Sequence, residues 1–302
     1  MYDIIVIGGG TAGLTAALYA RRAGKSVLVA ETENIGGQIT YAPEVENYPG
    51  IMNISGSEFV DNLYNQVISH GAEVVIENVL EIKNGEKEKR VITEDGEYLC
   101  KSIIIATGVK RRLLGVEREE DFTGAGVSYC AICDGAFFKN RDVAVVGGGN
   151  TAVEDAIYLS AFCKNVYLIH RRDAFRAEAR HVDVLYEKEN IKLVLDATVE
   201  ELLGEGELEG VKLKNTKTGD VSTIFVEGVF VAIGQVPSNG IFENIVKLDE
   251  SGFIAAGEDC KTSAAGIFTA GDCRTKEIRQ LSTAAADGAV AALAACSYID
   301  SL

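Results

Sequence analysis

The chain has 302 residues, enough for about two domains, and its 47% hydrophobic and 25% charged residues give a soluble globular balance that excludes disordered and fibrous classes. With 29 Lys+Arg against 45 Asp+Glu the formal net charge is −16, which leaves no electrostatic footprint for nucleic acid or an anionic membrane. No run of 18 apolar residues occurs, and Met1-Tyr2-Asp3 leads into a short apolar run without a basic leader, so neither a membrane span nor a signal peptide is expected and a cytoplasmic location is.

The first element is the apolar run ending at Ile7. It leads into Gly8, Gly10 and Gly13, a G-x-G-x-x-G that also includes Thr11 and Ala12. A helix is predicted over Thr11–Ala23, with Gly24 as its stop, and a buried strand over Ser26–Ala30. The first glycine allows a tight turn, the second lets backbone approach a pyrophosphate, and the third allows close helix–strand packing. Glu31, at the end of the second strand, can accept hydrogen bonds from a ribose. A further helix is predicted over Ser55–His70, then short antiparallel strands between Glu73 and Cys100. The strand Ile103–Ala106 ends in Thr107-Gly108.

The plan then repeats. Val6-Ile-Gly-Gly-Gly10 recurs as Val145-Val-Gly-Gly-Gly149, and the alignment continues without a gap, with Ala17 opposite Ala156, Tyr19 opposite Tyr158 and Val27 opposite Val166. The second loop has Gly147, Gly149 and, in the third position, Ala152, with Asn150 and Thr151 between them. Where the first copy has Glu31, the second has His170, followed by Arg171, Arg172 and Arg176. A carboxylate repels a 2′-phosphate, whereas guanidinium groups bind it, so the first site suits an unphosphorylated ribose and the second NADP(H). Strands follow at Val166–Ile169, around Thr218-Gly219-Asp220 and at Val229–Ala232. The tail, with a strand over Gly266–Ala270 and an Ala-rich helix from about Leu281, has no glycine loop of its own. It is therefore assigned to the first domain, which makes the second an insertion of roughly residues 114–244.

Cys130 and Cys133 form a Cys-x-x-Cys followed by Asp134. Two thiols at this spacing can close a disulfide and exchange it with another, and a carboxyl beside them can pass protons. A helix starting here stabilises a thiolate. No second Cys pair exists to complete a zinc site, and no metal is expected. The other five cysteines, Cys100, Cys163, Cys260, Cys273 and Cys296, are read as buried small hydrophobes. Two nucleotide sites and one dithiol imply an electron path, and the usual mediator between hydride and disulfide is a flavin, which makes the first site an FAD site.

These residues resemble the low-molecular-weight thioredoxin reductases, class II members of the pyridine nucleotide-disulfide oxidoreductases, over essentially the whole chain. The resemblance is carried by Cys130-Ala-Ile-Cys-Asp-Gly135, Gly147-Gly-Gly-Asn-Thr-Ala-Val-Glu154 and His170-Arg-Arg-Asp-Ala-Phe-Arg-Ala177. Gly36-Gly-Gln38, Glu44-Val-Glu-Asn47-Tyr-Pro-Gly50, Ala106-Thr-Gly108, Ala270-Gly-Asp272 and Arg279-Gln280 add to it. It implies an α/β fold of two Rossmann-like three-layer nucleotide-binding domains. An FAD domain would comprise residues 1–113 and 245–302, and an inserted NADPH domain, residues 114–244, would carry the dithiol. FAD would be contacted by Glu31, Gly36, Gly37, Gln38, Asn47, the segment Ala106, Thr107 and Gly108, and Gly271, Asp272, Arg279 and Gln280. Asp272 would serve the flavin's ribityl–phosphate portion. His170, Arg171, Arg172 and Arg176 would serve NADPH, and Asp134 would donate a proton. Thioredoxin or a thioredoxin-like protein is the implied partner and a homodimer the implied assembly. Ile132 departs from the usual Thr in the redox motif. The turn Gly234-Gln-Val-Pro237-Ser-Asn239 has one residue more than usual, a change expected to touch no chemistry. A ferredoxin-linked flavin thioredoxin reductase and a non-catalytic redox-sensing flavoprotein are the rival readings.

Overall fold

The structure is a computed structural model describing residues 1–85 and 88–302. The chain divides into two compact units, Met1–Lys110 with Val236–Leu302, and Arg111–Gln235 between them.

The first unit opens with β1 (Tyr2–Ile7), α1 (Thr11–Arg22), β2 (Val27–Glu31) and α2 (Gly56–Ser69), the last capped by the Ser55 hydroxyl on the Glu58 amide. β3 (Glu73–Ile76), β4 (Val79–Asn84), β5 (Lys89–Thr93) and β6 (Glu97–Ile105) follow, and β7 (Val109–Arg111) leads into the second unit. The second unit contains β8 (Val127–Ser128), α3 (Ala131–Asp134), β9 (Asp142–Val146), α4 (Asn150–Ser160), β10 (Asn165–Ile169), α5 (Ala179–Tyr186) and β11 (Ile191–Val194). It continues with β12 (Ala197–Leu203), β13 (Gly210–Asn215), β14 (Val221–Ile224) and β15 (Gly228–Val231), and β16 (Gln235–Pro237) leads out. The first unit is completed by β17 (Ile267–Thr269) and α6 (Leu281–Asp300).

In the first unit the order is β3-β2-β1-β6-β5-β4, and β17 also pairs β6. The strands around β1 are parallel, whereas β4, β5 and the start of β6 are antiparallel. Side-chain alternation explains the unbroken apolar runs. Ile4, Val6, Val27, Val29 and Ile104 face α1 and α6, while Ile5, Ile7, Leu28, Ile103 and Ile105 face β4, β5 and the tail. A sheet covered on both sides has no polar face to mark in sequence. The second unit repeats the plan with a parallel sheet β11-β10-β9-β15-β8, layered between α4 and the antiparallel β12-β13-β14. The fold is therefore α/β with two Rossmann-like units.

The tail belongs to the first unit, where β17 pairs β6 and α6 packs on α1. The return crossing lies at Gln235–Val236, upstream of Asn244, because Phe242 and Val246 are already buried among β1, β4 and β6 side chains. The crossing segments β7 and β16 pair as a two-stranded sheet. By length and composition alone α6 could cross a membrane, which the absence of a continuous apolar run had hidden. Its buried residues include Ala291, Ala292 and Ala295 packed against α1, and also the charged Asp287. It is a core helix of the first unit.

Candidate active site

The first glycine loop sits between β1 and α1. A Cβ on Gly13 would lie 1.9 Å from the Gly8 carbonyl oxygen, and one on Gly8 would lie 2.3 Å from the Ala106 carbonyl oxygen. Glycine is required here by contact as well as by the positive φ of Gly8, +107°. Thr11, Ala12 and Gly13 are buried at the start of α1, whose N-cap Gly10 carries no side chain to occupy the first amides. Those amides are free for a phosphate. Glu31 is held in place by three backbone amides. Its Oε2 accepts from Gly9 (2.6 Å), and its Oε1 accepts from Thr32 (2.9 Å) and Glu33 (3.1 Å).

Gly36 and Gly37 have positive φ, and Gly36 bridges back to Gly10. Gln38 donates its side-chain amide to the Val109 carbonyl. Asn47 donates to the Gln280 side chain at 3.4 Å, joining two residues far apart in sequence. Gln280 itself forms a capping box with Thr283 at the start of α6. Arg279 lies over the Phe253 ring and directs Nε to the Asp272 carbonyl at 3.4 Å. Asp272 is half-buried, and its buried Oδ1 has no hydrogen-bond partner among the described residues. Burial pushes its carboxyl up, while Lys276 and Arg279 pull it back. A buried carboxylate oxygen without a donor is unfavourable unless a ligand supplies one. The hydroxyl-rich ribityl chain of FAD is such a ligand, so this site fits the flavin expected from the sequence.

One residue of this site was not found by sequence reasoning. Asn239 is 1% exposed. It accepts from the Thr107 hydroxyl (3.0 Å) and donates to the carbonyls of Gly252 (3.0 Å) and Cys273 (2.8 Å). The turn with its extra residue, expected to touch no chemistry, thus ties the segment Ala106–Gly108 to the residue after Asp272. Asn239→Ala removes the partner of the part-buried Thr107 hydroxyl and Gly252 carbonyl and of the buried Cys273 carbonyl, and is expected to cost about 2–3 kcal/mol. Urea unfolding of the purified variant measures that loss, and a midpoint equal to wild type would contradict it.

In the second unit Cys130 and Cys133 are joined as a disulfide with Cα atoms 5.3 Å apart. Cys130 is half-buried and Cys133 exposed. The helix behind them is only four residues long, so its dipole is small. The specific stabilisation is local, from the Cys133 amide, which points at Cys130 Sγ from 3.2 Å. Asp134 is half-buried, and its Oδ2 accepts the Ser128 hydroxyl at 2.6 Å. Burial raises its carboxyl above the ordinary range, and the Ser128 bond offsets this only partly. Ser128 also accepts from the Cys130 amide at 3.1 Å, so one hydroxyl registers the acid against the disulfide. A lone Ser two residues before the motif carried no signal for this role.

The second glycine loop places Gly147, Gly149 and Asn150–Ala152 between β9 and α4. Asn150 Oδ1 accepts the Glu178 amide at 2.8 Å, and the Gly148 carbonyl accepts the Arg176 amide at 2.7 Å. The arginine segment is thereby pinned beside the loop. Arg171, Arg172 and Arg176 are exposed, and among the described residues none of their guanidinium groups engages a carboxylate. Clustered cations without counter-ions in an acidic chain fit a 2′-phosphate. His170 differs from them. It is 5% exposed, stacks on Phe175 at 5.6 Å and fills the space below Gly148, where a Cβ would meet its ring at 2.1 Å. Burial, followed by the neighbouring arginines, keeps it below the ordinary histidine range. It supports the loop as a neutral ring. Among the described residues no group of His, Cys, Asp or Glu could hold a metal ion, and the five remaining cysteines are all buried thiols.

Residues 2–288 match the family described as pyridine nucleotide-disulphide oxidoreductase. The thioredoxin reductase of Listeria monocytogenes is 42% identical over 303 residues, covering 100% of this chain and 95% of its own. The crystal structure of thioredoxin reductase from Streptococcus pyogenes superposes with a TM-score of 0.96 at 42% identity, covering 100% of this chain and 99% of its own. That of Lactococcus lactis thioredoxin reductase in the FR conformation gives 0.68 at 39% identity, with both chains covered fully.

Proposed function

Since the chain belongs to the pyridine nucleotide-disulphide oxidoreductase family, we propose that it is an FAD-dependent enzyme reducing oxidised thioredoxin with NADPH through the Cys130–Cys133 disulfide. The observation that carries this reading is the pairing, within one unit, of an accessible disulfide backed by a raised carboxyl with a second glycine loop flanked by three arginines.

FAD, when bound, supplies the chemistry that connects hydride transfer from NADPH to two-electron reduction of a disulfide. Gly8, Gly10 and Gly13 would hold its diphosphate, Glu31 its ribose, and Asp272 its ribityl portion. Arg171, Arg172 and Arg176 would select NADPH. Reduction of the disulfide adds two electrons and takes up a proton when one sulfur is released as a thiol. Asp134 is placed to hold that proton. The Cys133 amide stabilises negative charge on Cys130 Sγ. Exposed Cys133, with Ile132 (51% exposed) and Phe137 (40% exposed) beside it, offers a surface to a protein disulfide.

Asp134 must be protonated to donate, so its raised carboxyl keeps the step active to higher pH than an ordinary aspartate would. The step slows as pH rises through that value. Asp134→Asn is expected to slow disulfide reduction by about 10²–10⁴-fold and to remove this pH dependence, as read by anaerobic stopped flow. An unchanged profile would remove Asp134 from the mechanism.

Two crossings join the units, and a glycine with positive φ lies at each, Gly108 at +63° and Gly234 at +103°. Both the dithiol and the NADPH loop belong to the inserted unit, and both serve one flavin. Rotation of that unit between half-reactions meets the requirement. The unequal TM-scores of two relatives at similar identity support such mobility within the family. We further propose a cytoplasmic homodimer. Exposed Val290 and Leu293 on α6 support a buried face between subunits, and sedimentation of the purified protein as a monomer at micromolar concentration would contradict it.

A further inference from the structure

Asp272 lies in a tight bend, Gly271–Cys273, and one carboxylate holds both Gly271 at its start and Arg274 just past its end. Asp287 Oδ2 accepts from the Gly271 amide at 3.0 Å and from Arg274 Nε at 2.8 Å, and its Oδ1 accepts from Arg274 Nη2 at 2.8 Å. Lys276 Nζ adds a bond to Oδ2 at 2.9 Å. The side chains of Arg274, Lys276 and Asp287 are only 2%, 6% and 7% exposed.

The same stretch of α6 is docked on the first glycine loop. A Cβ on Gly288, the residue after Asp287, would lie 2.2 Å from the Ala12 carbonyl oxygen, and one on Gly271 would lie 2.8 Å from Ala12 Cβ. Asp287 therefore stands between two parts of one site. Its backbone is registered to the loop that receives a diphosphate, and its carboxylate is registered to the bend that carries Asp272.

Stability alone is a weak reason for this arrangement. Buried ion clusters are commonly matched or bettered by apolar side chains of similar volume. Geometry is a stronger reason, because a bidentate fork and a backbone amide on one carboxylate fix direction as well as distance.

We propose that Asp287 is a positioning residue for the flavin. By holding Gly271 and Arg274, it fixes the Asp272 carboxyl, with its unpartnered Oδ1, relative to the glycine loop, so that both would meet the same flavin when it binds. The inference rests on the FAD assignment.

The test is titration of deflavinated protein with FAD, read by flavin fluorescence and by visible circular dichroism of the bound flavin. Wild type binds FAD if the cofactor assignment is right; failure of wild type to bind sinks that assignment rather than the role of Asp287. Asp287→Asn is expected to bind FAD at least about tenfold more weakly and to change the dichroism of the bound flavin. The apolar replacement Arg274→Met/Lys276→Met/Asp287→Leu is expected to fold and still to bind weakly with an altered spectrum. Wild-type affinity and spectrum in that triple variant would show that the cluster is only structural and would overturn the proposal. If neither variant folds, Arg274→Lys decides, since it keeps the charge and loses the fork. Weaker binding with an altered spectrum supports the positioning role, and wild-type behaviour overturns it.

Discussion

Cys130→Ser and Cys133→Ser are each expected to lower turnover with oxidised thioredoxin by at least about three orders of magnitude, while the bound flavin is still reduced by NADPH. Both sulfurs form the one disulfide of the described residues, and no other cysteine can substitute. Cys100, Cys163, Cys260, Cys273 and Cys296 are all buried. Burial raises each of those thiols, to about 12 for Cys100 and Cys260 and about 11 for Cys163, which disfavours the nucleophilic thiolate. The two variants should differ in one respect. Cys133 is the more exposed of the two, whereas Cys130 is half-buried and has its Sγ faced by the Cys133 amide. Trapping each remaining thiol with a thioredoxin variant that has a single active-site cysteine distinguishes them. Full turnover by either serine variant would contradict the pathway.

Replacing Arg171, Arg172 and Arg176 together by alanine is expected to raise KM for NADPH by about a hundredfold or more and to change KM for NADH by less than about threefold. Each guanidinium is exposed, so each bond to a 2′-phosphate contributes at the low end of the charge-assisted range, but three act together. Neither unit's packing depends on them, because among the described residues their exposed heads engage no carboxylate. Salt dependence of KM for NADPH should flatten in the variant. Equal losses with both nucleotides would mean that the arginines support the loop instead of reading the phosphate.

Much of this was legible in sequence because the signals are local. A strand, a glycine loop and a helix follow one another within about 30 residues, and their duplication is visible as an ungapped repeat. The Cys-x-x-Cys carries its own spacing. What was not legible depends on residues brought together by the fold. Asn239 binds Thr107, Gly252 and Cys273, and no local pattern encodes that set. No local pattern marks Arg274 and Lys276 for burial, yet both side chains are buried on Asp287. His170 occupies the phosphate-reading position of the pattern, but its ring turns inward onto Phe175. The extent of the redox helix was also beyond the sequence, since after four residues it tightens into a 3-10 turn over Gly135–Phe138, where a Cβ on Gly135 would meet Leu159 at 2.8 Å.

Electrons are expected to run from NADPH through the flavin and the Cys130–Cys133 disulfide to thioredoxin. Anaerobic flavin bleaching tests it most directly, with NADPH and NADH compared and oxidised thioredoxin added afterwards. Rapid bleaching by NADPH, slow bleaching by NADH and reoxidation by thioredoxin are the predicted results. Absence of bleaching by NADPH would rule out NADPH as the donor and favour ferredoxin; bleaching without reoxidation by any thioredoxin would rule out thioredoxin as the acceptor.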